Sequence, residues 1–342
     1  MNVQTPFVLR EDYSDEVLNL LKTVTLGSNG ARYKHRHIEK RISKLYKPLY
    51  LNLERNDTVL GNITMCRREV GWYVRYFAMD ASIQSPKSVH KQSKAKKNTL
   101  KKKIGAFFDQ LFNEKDAPPL LYAYIDPRND RSLWMSQNFG FYKAASIATQ
   151  TFSRIRPKEK GDVNSSKKLS FIKSKVKELN KNKPLYFDYH TFNDETPFYE
   201  LTKNGKVVAF AKTHQAEWVI ERLPGRSGNL LVNIIPFVPG VRKVVRPDAH
   251  KFTVVDSVWA IDYDKDLLEE LFEGILEKEN KNTLIWWVDQ KEALYKNVKE
   301  TLNWGLLHKI NGVHQVDLVV KRKDKKNIEF ETPTYVSGFD FI

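Results

Sequence analysis

Cysteine occurs once, at Cys66, which excludes an internal disulfide and any multi-cysteine metal site. Long apolar runs are missing too; no stretch approaches the roughly 20 residues that a membrane-spanning helix requires. A secretory leader needs a basic start and an apolar core, and MNVQTPFVLREDYSDE offers acidic residues instead. These absences point to a cytoplasmic protein with no membrane partner. Histidines do not gather: His35 and His37 share a basic segment, while His190, His214 and His250 stand far apart. No metal-ligand spacing and no Ser-His-Asp signature results. Acidic residues are in deficit, 41 Asp+Glu against 57 Lys+Arg, a net charge of +16. Such an excess attracts polyanions: nucleic acid, anionic membrane or phosphorylated small molecules. It concentrates in residues 87–103 (KSVHKQSKAKKNTLKKK) and 154–183 (RIRPKEKGDVNSSKKLSFIKSKVKELNKNK).

What is present is globular. Hydrophobic residues make up 41% and aromatics 12% of 342 residues, enough chain for two domains. SDEVLNLLKTV carries a Ser14 cap, acids in its first turn and apolar residues at helical spacing. ARYKHRHIEKRISKLY reads as a second, basic amphipathic helix. From Pro48 the period changes to two. KPLYLNLERNDTVLGNITMCRREVGWYVRYFAMDASI predicts three antiparallel strands, with turns at Asn56-Asp57 and Val70-Gly71. NTLKKKIGAFFDQLFNE is an amphipathic helix with Leu100, Ile104, Phe107, Phe108 and Leu111 on one side. LLYAYID is a buried strand, a short helix ends at Gly140, and AASIATQTFSRI is another strand. The order predicts an α/β fold, an α+β mixed sheet with helices on its faces.

The second half repeats the order. PFYELTKNGKVVAFAK matches PLYLNLERNDTVLGNIT, KFTVVDSVWAID matches WYVRYFAMDAS, and DLLEELFEGILEKE is the amphipathic helix. TLIWWVD is the buried strand, Asn303-Trp304-Gly305-Leu306 replays Asn138-Phe139-Gly140-Phe141, and GVHQVDLVVKR closes the series. Five agreements in one order predict a duplicated fold. The expected division is a domain over 1–156, a basic linker over 157–183 and a second, degenerate domain over 184–342.

The phrase Asn129-Asp130-Arg131-Ser132 leading to Phe139-Gly140-Phe141 resembles the GNAT (GCN-related N-acetyltransferase) acyltransferases. The preceding helices, antiparallel meander, strand, helix and strand are similar to that fold in both halves. The resemblance implies two tandem GNAT-like acyl-coenzyme A N-acyltransferase folds. It implies a slot where strands 73–82 and 120–126 part, holding acetyl-coenzyme A along the edge at Ala78, Met79 and Asp80. It further implies a pyrophosphate cradle in the loop entering the main helix, at Gln92, Ser93, Lys94, Ala95, Lys96 and Lys97, with Asn129 and Ser132 beside it. This loop lacks the family's glycines, so lysines would supply charge in place of some backbone contacts.

A tyrosine that family members place four residues before the helix-ending glycine is Ser136 here, so Tyr142, Tyr124 or Tyr76 would have to protonate the leaving thiolate. The base needed by an amine nucleophile would be Glu69, Asp80 or Asp126. Asp126 repeats as Asp289 in the second half, which suits a helix cap equally well. The second copy's loop, Ala260 to Lys265, is short and acidic and would repel a pyrophosphate. Its insert over 222–250 would cover a partner domain, contact the acceptor or form a long hairpin.

The reading is therefore N-acetyl transfer from acetyl-coenzyme A to an amine on a small molecule or a protein, by a monomer or homodimer. Two other readings share the architecture: a Fem-type transferase using aminoacyl-tRNA, which the positive charge would suit, and a non-catalytic scaffold of two decayed folds.

Overall fold

A computed structural model describes residues 6–27, 31–56, 58–80, 93–160, 162–223 and 228–342. The chain opens with β1 (Phe7–Arg10), α1 (Asp15–Thr23), β2 (Arg32–His35) and α2 (Ile38–Ile42). The meander β3 (Pro48–Arg55), β4 (Thr58–Arg68) and β5 (Gly71–Met79) comes next, then α3 (Ser93–Leu111), β6 (Leu121–Ile125), α4 (Asp130–Asn138) and β7 (Tyr142–Ser153). They are succeeded by β8 (Val163–Ser165), α5 (Leu169–Asn180), α6 (Tyr189–Asn193), β9 (Phe198–Lys203) and β10 (Lys206–Arg222). The insert forms α7 (Gly228–Ile234) and α8 (Val241–Val244). The last elements are β11 (His250–Ala260), α9 (Lys265–Lys278), β12 (Thr283–Asp289), α10 (Ala293–Val298), α11 (Leu306–Asn311), β13 (His314–Lys321) and α12 (Gly338–Phe341).

These elements build two compact units whose segments interleave along the chain. The first comprises Met1–Leu26, His37–Ala144 and Asp317–Glu329; the second comprises Gly27–Arg36, Ala145–Val316 and Phe330–Ile342. In the first unit the strands lie in the order β1-β3-β4-β5-β6-β13. In the second the order is β7-β12-β11-β10-β9-β8, with β2 beside β10. The two copies have thus exchanged their closing strands. β7 pairs antiparallel with β12, Thr283 opposite Ser153 through Asp289 opposite Ile147. β13 pairs with β6 in the first unit, Asp317 opposite Ile125 through Lys321 opposite Leu121.

Local chemistry accounts for the individual elements. Ser14 caps α1 by accepting from the Val17 N–H at 3.4 Å. Asn204 and Gly205 both take positive φ, 51° and 74°, which is the two-residue hairpin geometry joining β9 to β10. α3 buries Ile104, Phe107, Phe108 and Leu111 against Leu51, Ile63, Met65 and Trp72 of the meander. α9 does the same in the second unit with Leu268, Leu271, Phe272 and Ile275 against Ala209, Val255, Leu284 and Trp286. Each such side chain contributes roughly 1.5–3 kcal/mol through burial.

Three expectations are corrected. The segment 31–46 is not one basic helix: Arg32–His35 is a strand paired with β10, and the helix is confined to Ile38–Ile42. Long-range pairing along β10 overrides the helical pattern there. The stretch 157–183 is not a bare linker. Its Val163–Ser165 pairs with β9, and α5 buries Ile172 and Val176 against Phe198 and Phe210. The insert, where described, is no hairpin; α7 and α8 pack Val232, Val244 and Val245 against Leu306 and Leu307.

Candidate functional site

The feature that opens a slot in the first unit is the short pairing of β5 with β6. Parallel register covers Trp72–Leu121 and Tyr73–Tyr122, supported by the Trp72 N–H donating to the Leu120 carbonyl at 2.9 Å. Among the described residues, pairing stops there, although β5 continues to Met79 and β6 to Ile125. The apex is closed by stacked Tyr73 and Tyr122 rings, 5.1 Å apart, and by Arg68 donating to the Tyr122 hydroxyl at 2.7 Å.

Just beyond the apex β5 carries a bulge. Met65 faces Val74 and Thr64 faces Tyr76, so Arg75 is the extra residue against β4. The bulge explains why Trp72, Val74, Phe77 and Met79 all meet the α3 core despite a three-residue step in their spacing. It also places Tyr73, Tyr76 and Ala78 on the opposite face.

That opposite face is polar and buried, and sequence reasoning passed over it. Asn62 donates to Asn52 at 2.9 Å and Thr64 donates to Asn62 at 2.6 Å. Tyr50 and Tyr76 lie beside them with buried hydroxyls that make no hydrogen bond among the described residues. Burial raises the Tyr50 phenol far above its ordinary value. The available signal was Asn and Thr at alternate positions of strands that otherwise alternate as core.

The residues singled out from sequence fall in three places. Ala78 and Met79 end β5 in register with Asn62 and Gly61, and the Asp80 N–H donates to the Leu60 carbonyl at 2.8 Å, all beyond the point where β5 leaves β6. Gln92 lies outside the described residues. Ser93, Lys94, Ala95, Lys96 and Lys97 are the first residues of α3 rather than loop, because no glycine or proline interrupts a run of good helix formers. That first turn carries no acidic residue, the reverse of what a helix N-terminus favours.

Asn129 is the N-cap of α4 and accepts from the Ser132 N–H at 3.1 Å, so this pair sets where the helix begins. Asp126 comes directly after β6 but does not cap α4. Its Oδ1 accepts from Arg128 N and Nε at 2.9 and 3.0 Å, and Oδ2 from the guanidinium at 2.7 Å. The equivalent turn in the second unit has Lys291 N donating to Asp289 Oδ1 at 2.8 Å. Glu69 sits in the β4–β5 turn with its side chain 60% exposed, at the end of β5 opposite the parting. Slight burial raises its carboxyl, but hydrogen bonds from Tyr46 at 2.7 Å and Lys47 at 3.1 Å outweigh this and hold it low. Tyr142 heads β7 and is exposed. Ser136 is buried and donates to the Leu133 carbonyl at 2.8 Å.

The second unit repeats the parting. β11 and β12 pair in parallel at Thr253–Leu284, Val254–Ile285 and Val255–Trp286. Two residues past the last pair, at Ser257 (φ 47°), β11 bulges against β10, as β5 does at Arg75. The helix after β11 has its start capped. Asp264 caps α9, accepting from Asp266 N at 2.8 Å and Leu267 N at 3.1 Å, so the chain's own carboxylate holds these orphan N–H groups.

The C-terminal segment crosses both diverging strands. The Thr334 N–H and hydroxyl donate to Asp289 at 2.8 and 2.7 Å, and the Gly338 N–H donates to Asp256 Oδ2 at 2.6 Å. Asp256 also accepts from His214 Nε2 at 3.0 Å, while His214 Nδ1 lies 3.1 Å from Asp194. Sequence had left His214 as scattered. Among the described residues no group of three His, Cys, Asp or Glu side chains is placed to hold a metal ion. No described helix is long and apolar enough to cross a membrane.

No model of a known protein family matches the sequence, and no curated protein matches it. Solved structures do. A GCN5-related N-acetyltransferase from Sphaerobacter thermophilus aligns over 97% of this chain and 100% of its own, with a TM-score of 0.50 and 10% identity. N-myristoyltransferase of Saccharomyces cerevisiae with bound myristoyl-CoA aligns over 96% of this chain and 85% of its own, with a TM-score of 0.54 and 10% identity. The fold is the GNAT fold. Its mixed sheet with helices is the fold class expected from the sequence, and the alignment with the N-myristoyltransferase covers 96% of the chain.

Proposed function

We propose that the protein is an acyl-coenzyme A-dependent N-acyltransferase that takes acetyl-coenzyme A as donor and an amine as acceptor. The observation that carries this reading is the parting of β5 from β6 after Tyr73 and Tyr122, beside the bulge at Arg75. It is supported by the likeness to an N-acetyltransferase and to an N-myristoyltransferase solved with myristoyl-CoA.

In this reading the pantetheine arm lies along the free edge of β5 towards Ala78, Met79 and Asp80. The phosphates meet the N-terminus of α3, where Lys94, Lys96 and Lys97 stand without an acidic neighbour in the first turn. Asn129 and Ser132 contribute by fixing the start of α4. The amine attacks the thioester carbonyl, its proton passes to a base, and the C–S bond breaks to give a thiolate that must be protonated. We assign that protonation to Tyr76, whose buried hydroxyl has no other partner among the described residues, ahead of the exposed Tyr142. Asp126, at the open end of β6, remains the carboxylate for the amine proton; Glu69, at the closed end, drops out. The second unit takes no coenzyme, since Asp264 already occupies its helix N-terminus.

Isothermal titration of the full chain with acetyl-coenzyme A tests the reading. Saturable binding at micromolar to low millimolar ligand is expected, weakened by Ala78→Trp; absence of heat overturns it.

A further inference from the structure

The chain carries an excess of positive charge, yet one cavity among the described residues is lined by charged groups that are mainly acidic. It lies in the second unit where β11 and β12 diverge, with a volume of about 80 Å³. That is room for several waters or for a ligand of a few heavy atoms. Its walls hold three carboxylates, Asp256, Asp289 and Glu292, against one amine, Lys183. Glu292 is matched by Lys183 in an ion pair, and Asp289 by Thr334 and the Lys291 N–H. Asp256 is different. Only 1% of its surface is exposed, its Oδ2 accepts from His214, Gly338 and, at 3.4 Å, Ser337, and its buried Oδ1 makes no hydrogen bond among the described residues. A buried carboxylate oxygen with no donor is costly unless something in the cavity supplies one.

The remaining walls decide what that donor is. Trp259, Trp286, Trp287 and Tyr335 line the same space, and Tyr263, 48% exposed, stands with Leu179 at its mouth. Indole and phenol faces beside a carboxylate suit a desolvated organic cation, because the ring faces attract positive charge and the carboxylate accepts its N–H. A divalent metal does not fit, since among the described residues no three ligating side chains converge.

We propose that this cavity is a binding site for a compact primary ammonium, with its nitrogen on Asp256 Oδ1 and its carbon chain along the tryptophans. The site stands on the second unit's own residues, whether or not the first unit binds acyl-coenzyme A.

The test uses the full chain and its tryptophan fluorescence, titrated with n-butylammonium chloride, with 1-butanol and sodium chloride at matched concentrations as controls. A saturable change with butylammonium alone is expected. Leu179→Lys, which puts an ammonium at the exposed mouth, should weaken the response roughly tenfold or more while leaving the thermal midpoint unchanged. Asp256→Asn should weaken it comparably where that variant folds. Equal responses to butylammonium and butanol, or to butylammonium and sodium chloride, overturn the proposal by showing a merely apolar or ionic-strength effect. So does a saturable response that Leu179→Lys leaves untouched, and so does no response at all, which would mean that water alone fills the cavity.

Discussion

Tyr73 and Tyr122 are the last residues that β5 and β6 hold in register, and their stacked rings close the apex of the parting. Val255 and Trp286 occupy the same place in the second unit, and both units bulge two residues later, at Arg75 and Ser257. A bulge adds a residue to one strand and increases its twist, so it turns the strand away from its parallel neighbour. Both copies therefore build a cleft by one device, and they differ in the helix beyond it. The first has a lysine-bearing helix start; the second has a capped helix, with the chain's own C-terminal segment bonded across the diverging strands.

Reversing the charge at Lys94, Lys96 and Lys97 to glutamate should separate binding from folding. Acids at a helix N-terminus stabilise it by roughly 0.3–1 kcal/mol each, so thermal stability should hold or rise. Affinity for coenzyme A should fall roughly tenfold to hundredfold and lose salt dependence. Calorimetry at two ionic strengths reads both. Unchanged affinity would remove the lysines from the proposed cradle.

Gly140, which follows the end of α4, and Gly305, which the sequence pattern placed at a helix end but which is the N-cap of α11, should respond unequally to alanine. Gly305 has φ +87°, and an added Cβ would stand 2.0 Å from the Ser153 carbonyl oxygen. Gly140 has φ +80°, but its Cβ would meet only the tip of Lys321 at 3.1 Å. Gly140→Ala should cost about 1–2 kcal/mol from backbone conformation alone. Gly305→Ala adds a clash with backbone that cannot move aside and should exceed about 3 kcal/mol. Chemical denaturation of the two variants gives the comparison.

The sequence showed the repeat because periodicity is local: the hairpin at Asn204-Gly205, the stripe on α3 and the Gly140 and Gly305 turns each arise from neighbours in the chain. The bulge at Arg75 went unread, although Val74 and Phe77 stand three residues apart. The exchange of β7 and β13 was not legible there, since either strand would satisfy either sheet edge by pattern alone. The strand Arg32–His35 was misread for the same reason; its partner on β10 lies some 180 residues away. His214, Asp194 and Asp256 come together from three separate segments, and no spacing rule anticipates that.

Acid should weaken the second unit through His250. Its side chain is buried, and burial lowers its pKa from 6.5 to about 4. A depressed histidine is stable while neutral, so its contribution is complete above the unfolded pKa and is lost as pH falls from about 6.5 towards 4. The span corresponds to about 3 kcal/mol. His250→Gln should flatten the difference in stability between pH 7 and pH 4.5 by about 2 kcal/mol, most of that span. Parallel pH curves for the two proteins would show that His250 is not the titrating group.

His214 should act in the opposite direction. Burial favours its neutral form, yet Asp256 and the hydrogen bonds to Asp194 and Asp256 prevail and raise its pKa. Both ring nitrogens lie within hydrogen-bond distance of carboxylate oxygens, an arrangement that favours the protonated ring. Lys212 faces the same cluster, donating to the Asp194 carbonyl at 3.0 Å, and its charge works against protonation without reversing the shift. A raised histidine stabilises the fold fully below its unfolded pKa of about 6.5, and that contribution is lost as pH climbs through the folded value. His214→Asn takes away the imidazole that both carboxylates contact, which should cost about 3–5 kcal/mol. The cost should be larger at pH 6 than at pH 9, because the wild-type advantage shrinks as the ring loses its proton. Because Asp256 also accepts from Gly338, amide exchange in α12 should accelerate in the variant more than in β7. A loss of stability that is the same at both pH values, or exchange unchanged in α12, would mean that the ring packs here as a neutral side chain.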